Sequence, residues 1–253
     1  MISRRIHGVK VIILVLSGKG GVGKSVVSAT LAVLLKEAGL AVGLMDADVY
    51  GPSSALIFGA NTRPSEGKEG LVPPVAAGVK IMSVDLFATG MPAPLTGAGA
   101  REVITEMLAL TCWGSLDYLI IDMPPATADI TMLLTSLHKS EVTALVVVTP
   151  DRLSLTVAHR VLQLLYAGRV PIAGVLGNMY RSHPGSTSKD DEGPKKLAKE
   201  FEVEFLGKLP YDDEVLSAVH EGDVGRLLKT TFANALRRSV KTYIRPKPPL
   251  PHR

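Results

Sequence analysis

No apolar run in this sequence of 253 residues is long enough to cross a bilayer. The longest runs cover residues 11–16 and 144–148, whereas a membrane-spanning helix needs about 20 apolar residues. An export cleavage site is also missing, because the apolar run that follows Arg4 and Arg5 leads directly into a glycine-rich loop. These absences argue against a membrane span and predict a cytoplasmic protein whose first apolar run is a strand.

Aromatic residues contribute only 5% of the sequence, and they are not interleaved with a concentrated basic patch. The formal net charge of +4 is mild, and much of it lies near the two ends of the sequence. Nucleic-acid-binding surfaces usually concentrate basic residues on one face. The pattern therefore favours an ordinary solvated surface and gives no strong nucleic-acid signal.

Cysteine is reduced to a single residue, Cys112, which stands at the end of a helical run just before Trp113. That position predicts a buried side chain that acts as a small hydrophobe. The apolar fraction of 46% fits parallel strands that are buried on both faces. The length allows one α/β domain or two small domains.

A glycine-rich loop stands between an apolar run at 9–16 and a helix-like run at 26–37. It matches the phosphate-binding pattern GxxxxGK[S/T] in the expected strand–loop–helix context. Its backbone N–H groups and the following helix N-terminus can bind phosphate oxygens, with Lys24 on the β- and γ-phosphates and the Ser25 hydroxyl on magnesium. The predicted nucleotide contacts are Gly18, Lys19, Gly20, Gly21, Val22, Gly23, Lys24, Ser25 and Val26.

Carboxylates follow two further predicted strands. Residues 41–45 lead into Asp46-Ala47-Asp48, and residues 117–121 lead into Asp122 in the Walker B pattern. The carboxyl ends of strands face the ligand crevice in a sheet of this kind, and two acids there suit a hydrated magnesium ion and an attacking water. An Asx turn or a helix cap is the alternative interpretation for one of the first two acids.

The remaining patterns predict a single α/β domain over residues 1–240, a P-loop NTPase with a mostly parallel sheet and helices on both faces. A Pro-rich basic tail follows at 241–253. Residues 59–100 predict surface loops around one strand. Further predicted strands cover 79–84, 142–149, 170–176 and 203–206, and further predicted helices cover 152–166, 195–201, 213–220 and 225–240.

The early lysine of the loop, Lys19, and the segment Asp46-Ala47-Asp48-Val49-Tyr50-Gly51-Pro52-Ser53 resemble one family. They are similar to the Mrp-type (Mrp/ApbC) ATPases of the deviant Walker A group, which also holds MinD, ParA and the nitrogenase iron protein. The resemblance covers roughly residues 8–240. It implies a homodimer that closes on ATP, in which Lys19 crosses to the partner's nucleotide.

The resemblance also implies roles for individual residues. Lys19 and Lys24 neutralise γ-phosphate charge, and Asp48 orients the hydrolytic water. Ser25, Asp46 and Asp122 serve the magnesium ion. Asn178 hydrogen-bonds the adenine, and Pro210, Tyr211 and Asp212 lie against the base. A client apo-protein or an iron–sulfur assembly factor is the implied partner.

The sequence departs from the family pattern in three segments. A WRGPM-like segment is replaced at 94–100, and Ala126 and Ala128 replace two glycines of the switch segment. Because alanine disfavours positive φ, we expect slow hydrolysis. The CPxC pair of the family is missing from 180–188. A bound iron–sulfur cluster is therefore not expected, although a dimer could offer two Cys112 and two His183 side chains.

The sequence thus predicts a magnesium-dependent, slowly hydrolysing ATPase that acts as a dimeric nucleotide switch of the iron–sulfur carrier family. One alternative is a positioning ATPase of the ParA and MinD kind that acts on DNA or membrane. Another is a nucleotide-sensing scaffold with hardly any turnover.

Overall fold

The computed structural model describes residues 2–87, 97–124, 141–181 and 192–240. Within these ranges the chain forms an α/β fold with nine α-helices and ten strands. The strands are β1 (Val9–Leu16), β2 (Val42–Asp46), β3 (Ser65–Gly67), β4 (Gly70–Val72), β5 (Val75–Ala76), β6 (Val79–Met82), β7 (Leu116–Asp122), β8 (Glu141–Val148), β9 (Ile172–Tyr180) and β10 (Phe205–Pro210). The helices are α1 (Ile2–Arg5), α2 (Lys24–Glu37), α3 (Ser54–Ile57), α4 (Gly97–Leu110), α5 (Arg152–Ala167), α6 (Gly193–Glu200), α7 (Asp213–Glu221), α8 (Val224–Leu227) and α9 (Thr231–Val240).

Eight strands form the main sheet in the order β10-β9-β8-β1-β7-β2-β6-β5. All neighbours pair in parallel except β5 and β6, which are antiparallel. β3 and β4 form a separate antiparallel hairpin. The register aligns Asp46 of β2 with Asp122 of β7, so the two acids end neighbouring strands at one edge of the sheet.

The core lies on both faces of this sheet because its central strands are apolar throughout. In β1, Ile12 and Leu14 pack with α4, α5 and α6 on one face, whereas Ile13 and Val15 pack with α2, α7 and α9 on the other. The alternation follows from the period of two in a strand. The predicted α/β fold with helices on both faces is confirmed.

Several predicted element boundaries were wrong. Residues 59–100 hold β3, β4 and β5 in addition to the one predicted strand. The sequence did not predict these three strands because they are too short to show a periodic pattern. β9 continues to Tyr180 rather than ending at residue 176, since the buried Asn178 remains within the strand. The predicted strand at 203–206 lies instead at 205–210, where Pro210 is tolerated on an edge strand.

The predicted helix at 225–240 is divided into α8 and α9. Thr230 causes the division, because its Oγ1 accepts a hydrogen bond from the Ala233 N–H (3.1 Å) and so caps a new helix. The predicted Pro-rich tail at 241–253 lies outside the described residues, as do Ala126, Ala128 and His183.

Candidate nucleotide-binding site

The glycine-rich loop joins the end of β1 to the first turn of α2, as predicted. Gly23 has a φ of 81° directly before the helix. A Cβ at Gly23 would also lie 2.4 Å from Asn178 Nδ2. Both the left-handed backbone and the close approach of Asn178 therefore require glycine here. The loop is held against β9 as well as between β1 and α2.

Lys24 and Asp122 form a buried ion pair at the centre of the site. Lys24 Nζ donates a hydrogen bond to Asp122 Oδ1 (2.6 Å), and the two side chains are only 7% and 0% exposed. Ser28 Oγ, one turn further along α2, donates to the same oxygen (2.8 Å). The other carboxylate oxygen of Asp122, Oδ2, is buried and has no protein partner.

This arrangement fits a magnesium ion bound together with phosphate. Magnesium usually binds to one or two carboxylates and to substrate phosphates while keeping several waters. The unpartnered Oδ2 of Asp122 is an acceptor of the required kind. The described residues contain no group of three or more His, Cys, Asp or Glu side chains that could hold a metal without such help.

Asp46 anchors the segment that follows β2. Its Oδ1 accepts from the Asp48 N–H (3.1 Å), and its Oδ2 accepts from the Ser53 and Ser54 N–H groups (2.9 and 2.8 Å). The bond from Asp48 is the Asx turn of the alternative interpretation. Burial, and then the nearby charge of Asp122, raise the pKa of Asp46 to about 6 despite these bonds. A cation in the site would favour the charged form.

Asp48 and Ser25 are half-buried. Asp48 Oδ1 accepts a hydrogen bond from the Gly51 N–H (3.3 Å), so it also shapes the turn after β2. Ser25 is the second residue of α2, and the half-buried Val26 follows it.

Lys19 contacts a carboxylate of its own chain. Its Nζ lies 3.4 Å from the Asp151 carboxylate. Asp151 is the N-cap of α5, where it accepts from the Ser154 N–H (2.9 Å) and from the Thr149 hydroxyl. The lysine that the resemblance assigns to a partner's nucleotide therefore has an intramolecular counter-ion.

Asn178 contacts the phosphate loop. Its Nδ2 donates to the Val22 carbonyl (2.8 Å), and its side chain is buried. The next residue, Met179, has a φ of 60°, which is uncommon for a residue other than glycine. The amide that the resemblance assigns to adenine thus braces the loop in this structure.

The loop after β10 also has internal roles. Asp212 is the N-cap of α7 and accepts from the Glu214 N–H (3.1 Å). It also accepts from the Thr231 N–H and hydroxyl at the start of α9 (2.8 and 2.6 Å). Tyr211 lies under the guanidinium of Arg181, 3.9 Å from the ring centroid. Pro210 ends β10.

Sequence reasoning missed Ser28, Asp151 and Arg181. Ser28 could have been found from its spacing, because it stands four residues after Lys24 on the same face of a helix. Asp151 carries the signal of an N-cap before an apolar helix. Arg181 has no local signal, since its contact depends on the pairing of β9 with β10.

Cys112 lies far from this site. It precedes β7, and its backbone N–H donates to the Leu71 carbonyl (2.7 Å), whereas Asp122 ends the same strand. Seven residues of β7 separate the amino ends of the strands, near Cys112, from their carboxyl ends at the site by roughly 20 Å. The prediction of a buried small hydrophobe was wrong in part, because Cys112 is half-buried and its Sγ lies 3.5 Å from Arg5 Nη1. The neighbouring Trp113 fills the core instead.

The parallel sheet, the glycine-rich loop before α2 and the Lys24–Asp122 pair define a P-loop nucleotide-binding protein of the α/β class. The family of ParA type described as NUBPL iron-transfer P-loop NTPases matches residues 8–243. The chain belongs to this family, and the resemblance found in the sequence is confirmed. No described helix is both long and apolar enough to cross a membrane.

Relatives support the same assignment. An iron–sulfur cluster carrier protein of Rickettsia conorii is 36% identical over 215 residues, which cover 84% of this chain and 65% of the relative. One of Pseudomonas fragi is 38% identical over 225 residues, which cover 85% of this chain and 77% of the relative. The solved structure of a nucleotide-binding protein of Archaeoglobus fulgidus in complex with ADP is 31% identical, with a TM-score of 0.73, and the match covers 88% of this chain and 90% of that one.

Proposed function

We propose that this chain binds magnesium–ATP at the end of β1 and hydrolyses it slowly as a dimeric switch in iron–sulfur cluster transfer. The observation that carries the proposal is the buried Lys24–Asp122 ion pair, in which Asp122 Oδ2 has no hydrogen-bond partner. A buried carboxylate oxygen without a hydrogen-bond partner is costly, so the site is suited to a ligand that brings both phosphate and a hydrated cation.

Residue roles in the proposal follow the site geometry and the resemblance. Bound magnesium neutralises phosphate charge. Lys24 would bind the β- and γ-phosphates in place of Asp122, and the Asp122 carboxylate would then be available to accept hydrogen bonds from water on the magnesium ion. Ser25 contributes its hydroxyl to the metal, and Asp46 holds the segment on which Asp48 orients the attacking water. ADP in the related Archaeoglobus fulgidus protein supports nucleotide binding.

Dimer closure is the proposed output. Lys19 leaves Asp151 and reaches the nucleotide of a second copy, where a cation stabilises charge that develops on the γ-phosphate. Ala126 and Ala128, in place of the family's switch glycines, support slow turnover, since alanine limits the backbone there.

The partner that receives or supplies a cluster is proposed to be an apo-protein or an assembly factor. The names of the relatives support a role in cluster transfer, and the position of Cys112 at the opposite edge of the sheet from the site speaks against a resident cluster. Anaerobic reconstitution with iron and sulfide tests this directly. Stable charge-transfer absorption that is lost in Cys112→Ala would overturn the proposal that no cluster is bound.

A comparison of two lysine variants tests the switch. Lys19→Ala should abolish ATP-dependent dimers in sedimentation velocity and reduce turnover by at least about tenfold, while the isolated chain still binds nucleotide. Lys10→Ala is the matched control, because Lys10 also pairs with an aspartate, Asp117 (2.7 Å), but at the opposite edge of the sheet. Wild-type turnover without any dimer, or equal loss in both variants, would contradict the proposal.

A further inference from the structure

Ser28 supplies a buried hydroxyl group of α2 to the nucleotide-binding site. It stands one turn after Lys24 and is 0% exposed. Its Oγ lies 2.8 Å from Asp122 Oδ1 and 3.1 Å from the Lys24 carbonyl oxygen. A hydroxyl has a single hydrogen to donate, and hydrogen bonds to an ionised acceptor are shorter and stronger than those between neutral groups. The contact with Asp122 is therefore the stronger of the two.

The two aspartates of the site differ in what holds them. Asp46 accepts hydrogen bonds from three backbone N–H groups, so its partners are fixed by the fold of the chain. Among the described residues, the Asp122 side chain accepts only from Lys24 Nζ and Ser28 Oγ, both at Oδ1. Asp122 therefore depends on two side chains of one helix for its hydrogen bonds.

These two donors differ in their freedom to move. Lys24 reaches Asp122 with an ammonium group at the end of a flexible stem of four carbons, so Nζ can move to a ligand while the helix stays in place. Ser28 Oγ moves only by rotation about one bond, and the adjacent Val27 and Ala29 are 0% exposed and pack in the core. Ser28 can therefore remain on Asp122 after Lys24 has moved.

We propose that Ser28 is a positioning residue that keeps Asp122 hydrogen-bonded when Lys24 leaves it to bind phosphate. That role rests on the proposed function, because it requires the transfer of Lys24 to the nucleotide. Without the Ser28 hydroxyl, the transfer leaves a buried carboxylate that has no donor in the chain. Loss of the last donor costs more than loss of one donor from a carboxylate that keeps another, so removal of the hydroxyl should weaken nucleotide binding.

A double-mutant cycle in the nucleotide-free chain tests the energetic step. Lys24→Met imitates the departure of Lys24, because methionine lacks a donor. Ser28→Ala should raise the equilibrium constant of unfolding about tenfold more in the Lys24→Met background than in wild type, since only there does it remove the last donor. Urea unfolding measures both constants, and equal effects in the two backgrounds would overturn the proposal.

Thr30→Val is the matched control for this cycle. Thr30 is also 0% exposed on α2, but its Oγ1 donates to the Val26 carbonyl (2.7 Å) of the same helix. The control variant should therefore have the same effect on unfolding in wild type and in the Lys24→Met background.

ATP affinity tests the role in single variants that keep Lys24. In calorimetric titrations with EDTA, Ser28→Ala should raise Kd about tenfold, whereas Ser28→Thr keeps the hydroxyl and should stay within about threefold of wild type. With magnesium, the increase in Ser28→Ala should shrink to below about threefold, because water on the ion can donate to Asp122 instead. An increase of the same size in both conditions would indicate a packing role and would overturn the proposal.

The titrations also separate failure of this role from failure of the proposed function. Wild type that binds no ATP in either condition would contradict the proposed function, and the role of Ser28 with it. Wild type that binds ATP in EDTA, beside a Ser28→Ala variant of equal affinity, would overturn only the role of Ser28. If wild type binds ATP only with magnesium, the unfolding cycle decides.

Discussion

Asp122 is the side chain on which the charges of the site converge. Lys24 and Ser28 both donate to its Oδ1, and Asp46 faces it from the neighbouring strand. Taking charges out of water is costly, and a buried pair that loses one member leaves the other charge uncompensated. The stability of the apo chain therefore depends on the same residues that are proposed to bind nucleotide.

A double-mutant cycle on Lys24 and Asp122 measures this dependence. Lys24→Met and Asp122→Asn should each lower the free energy of unfolding by about 3 kcal/mol, because each leaves a buried charge unpaired. The double variant should be more stable than additivity predicts by about 2 kcal/mol. Urea unfolding of the four proteins gives the coupling energy. The exposed Lys10–Asp117 pair is the control and should show a coupling below about 1 kcal/mol.

The pKa of Asp46 predicts how stability changes with pH. Its folded value of about 6 lies above the ordinary 3.8, so between these values the folded chain binds more protons than the unfolded chain. The free energy of unfolding should therefore fall as pH rises from about 4 to 6, by an amount on the order of 2 kcal/mol. Urea unfolding across this range, without nucleotide, measures the fall.

Two aspartate variants isolate that contribution. Asp46→Asn should lack this fall, because the side chain no longer titrates. Asp117→Asn should retain it, because a hydrogen bond from Lys10 holds the pKa of Asp117 below its ordinary value and its contribution has the opposite sign. A fall of the same size in Asp46→Asn would show that another group titrates.

At the scale of elements, helix caps connect the site to the rest of the fold. Asp151 begins α5 while it contacts Lys19, and Asp212 begins α7 while it binds the first turn of α9. N-cap carboxylates satisfy N–H groups that a helix leaves unpaired. Both acids therefore connect the start of one helix to a second segment of the chain, α5 to the glycine-rich loop and α7 to α9.

The variant Asp212→Ala distinguishes a role of Asp212 as a helix cap from a role in contacting adenine. The loss of the cap and of the Thr231 hydrogen bond should lower the free energy of unfolding by about 2 kcal/mol, while nucleotide affinity stays within about twofold. Asp213→Ala, in the first turn of the same helix, is the matched control. Unfolding and nucleotide titration measure the two quantities, and a large loss of affinity at full stability would assign Asp212 to the base.

The effect of Asp212 should also depend on pH. Burial alone would raise its pKa, but the hydrogen bonds from Thr231 and from the backbone outweigh burial and hold the pKa below its ordinary value. A depressed pKa contributes stability above the unfolded value, and that stability disappears as pH falls. The difference between wild type and Asp212→Ala should therefore shrink below about pH 4.

At the scale of the whole molecule, local patterns predicted the sheet and the convergence of its polar strand ends. The positions of Asp46 and Asp122 follow from apolar runs that end in acids, because parallel strands place such ends at one edge. Contacts between Lys24 and Asp122, or between Lys19 and Asp151, were not predicted. They join residues 98 and 132 positions apart, and they depend on the strand order, which places β1 between β7 and β8. No local periodicity encodes that order.

The intramolecular Lys19–Asp151 contact opposes formation of the proposed dimer. Each Lys19 must leave Asp151 before it reaches a second copy, and an exposed pair of this kind contributes about 0.2–1 kcal/mol. Asp151→Asn keeps a good N-cap residue but removes the charge, so stability should change by less than about 1 kcal/mol. Since two such pairs break per dimer, its ATP-dependent dissociation constant should fall by about 2- to 30-fold. Sedimentation equilibrium with ATP measures this constant, and an unchanged value would show that Asp151 does not restrain Lys19.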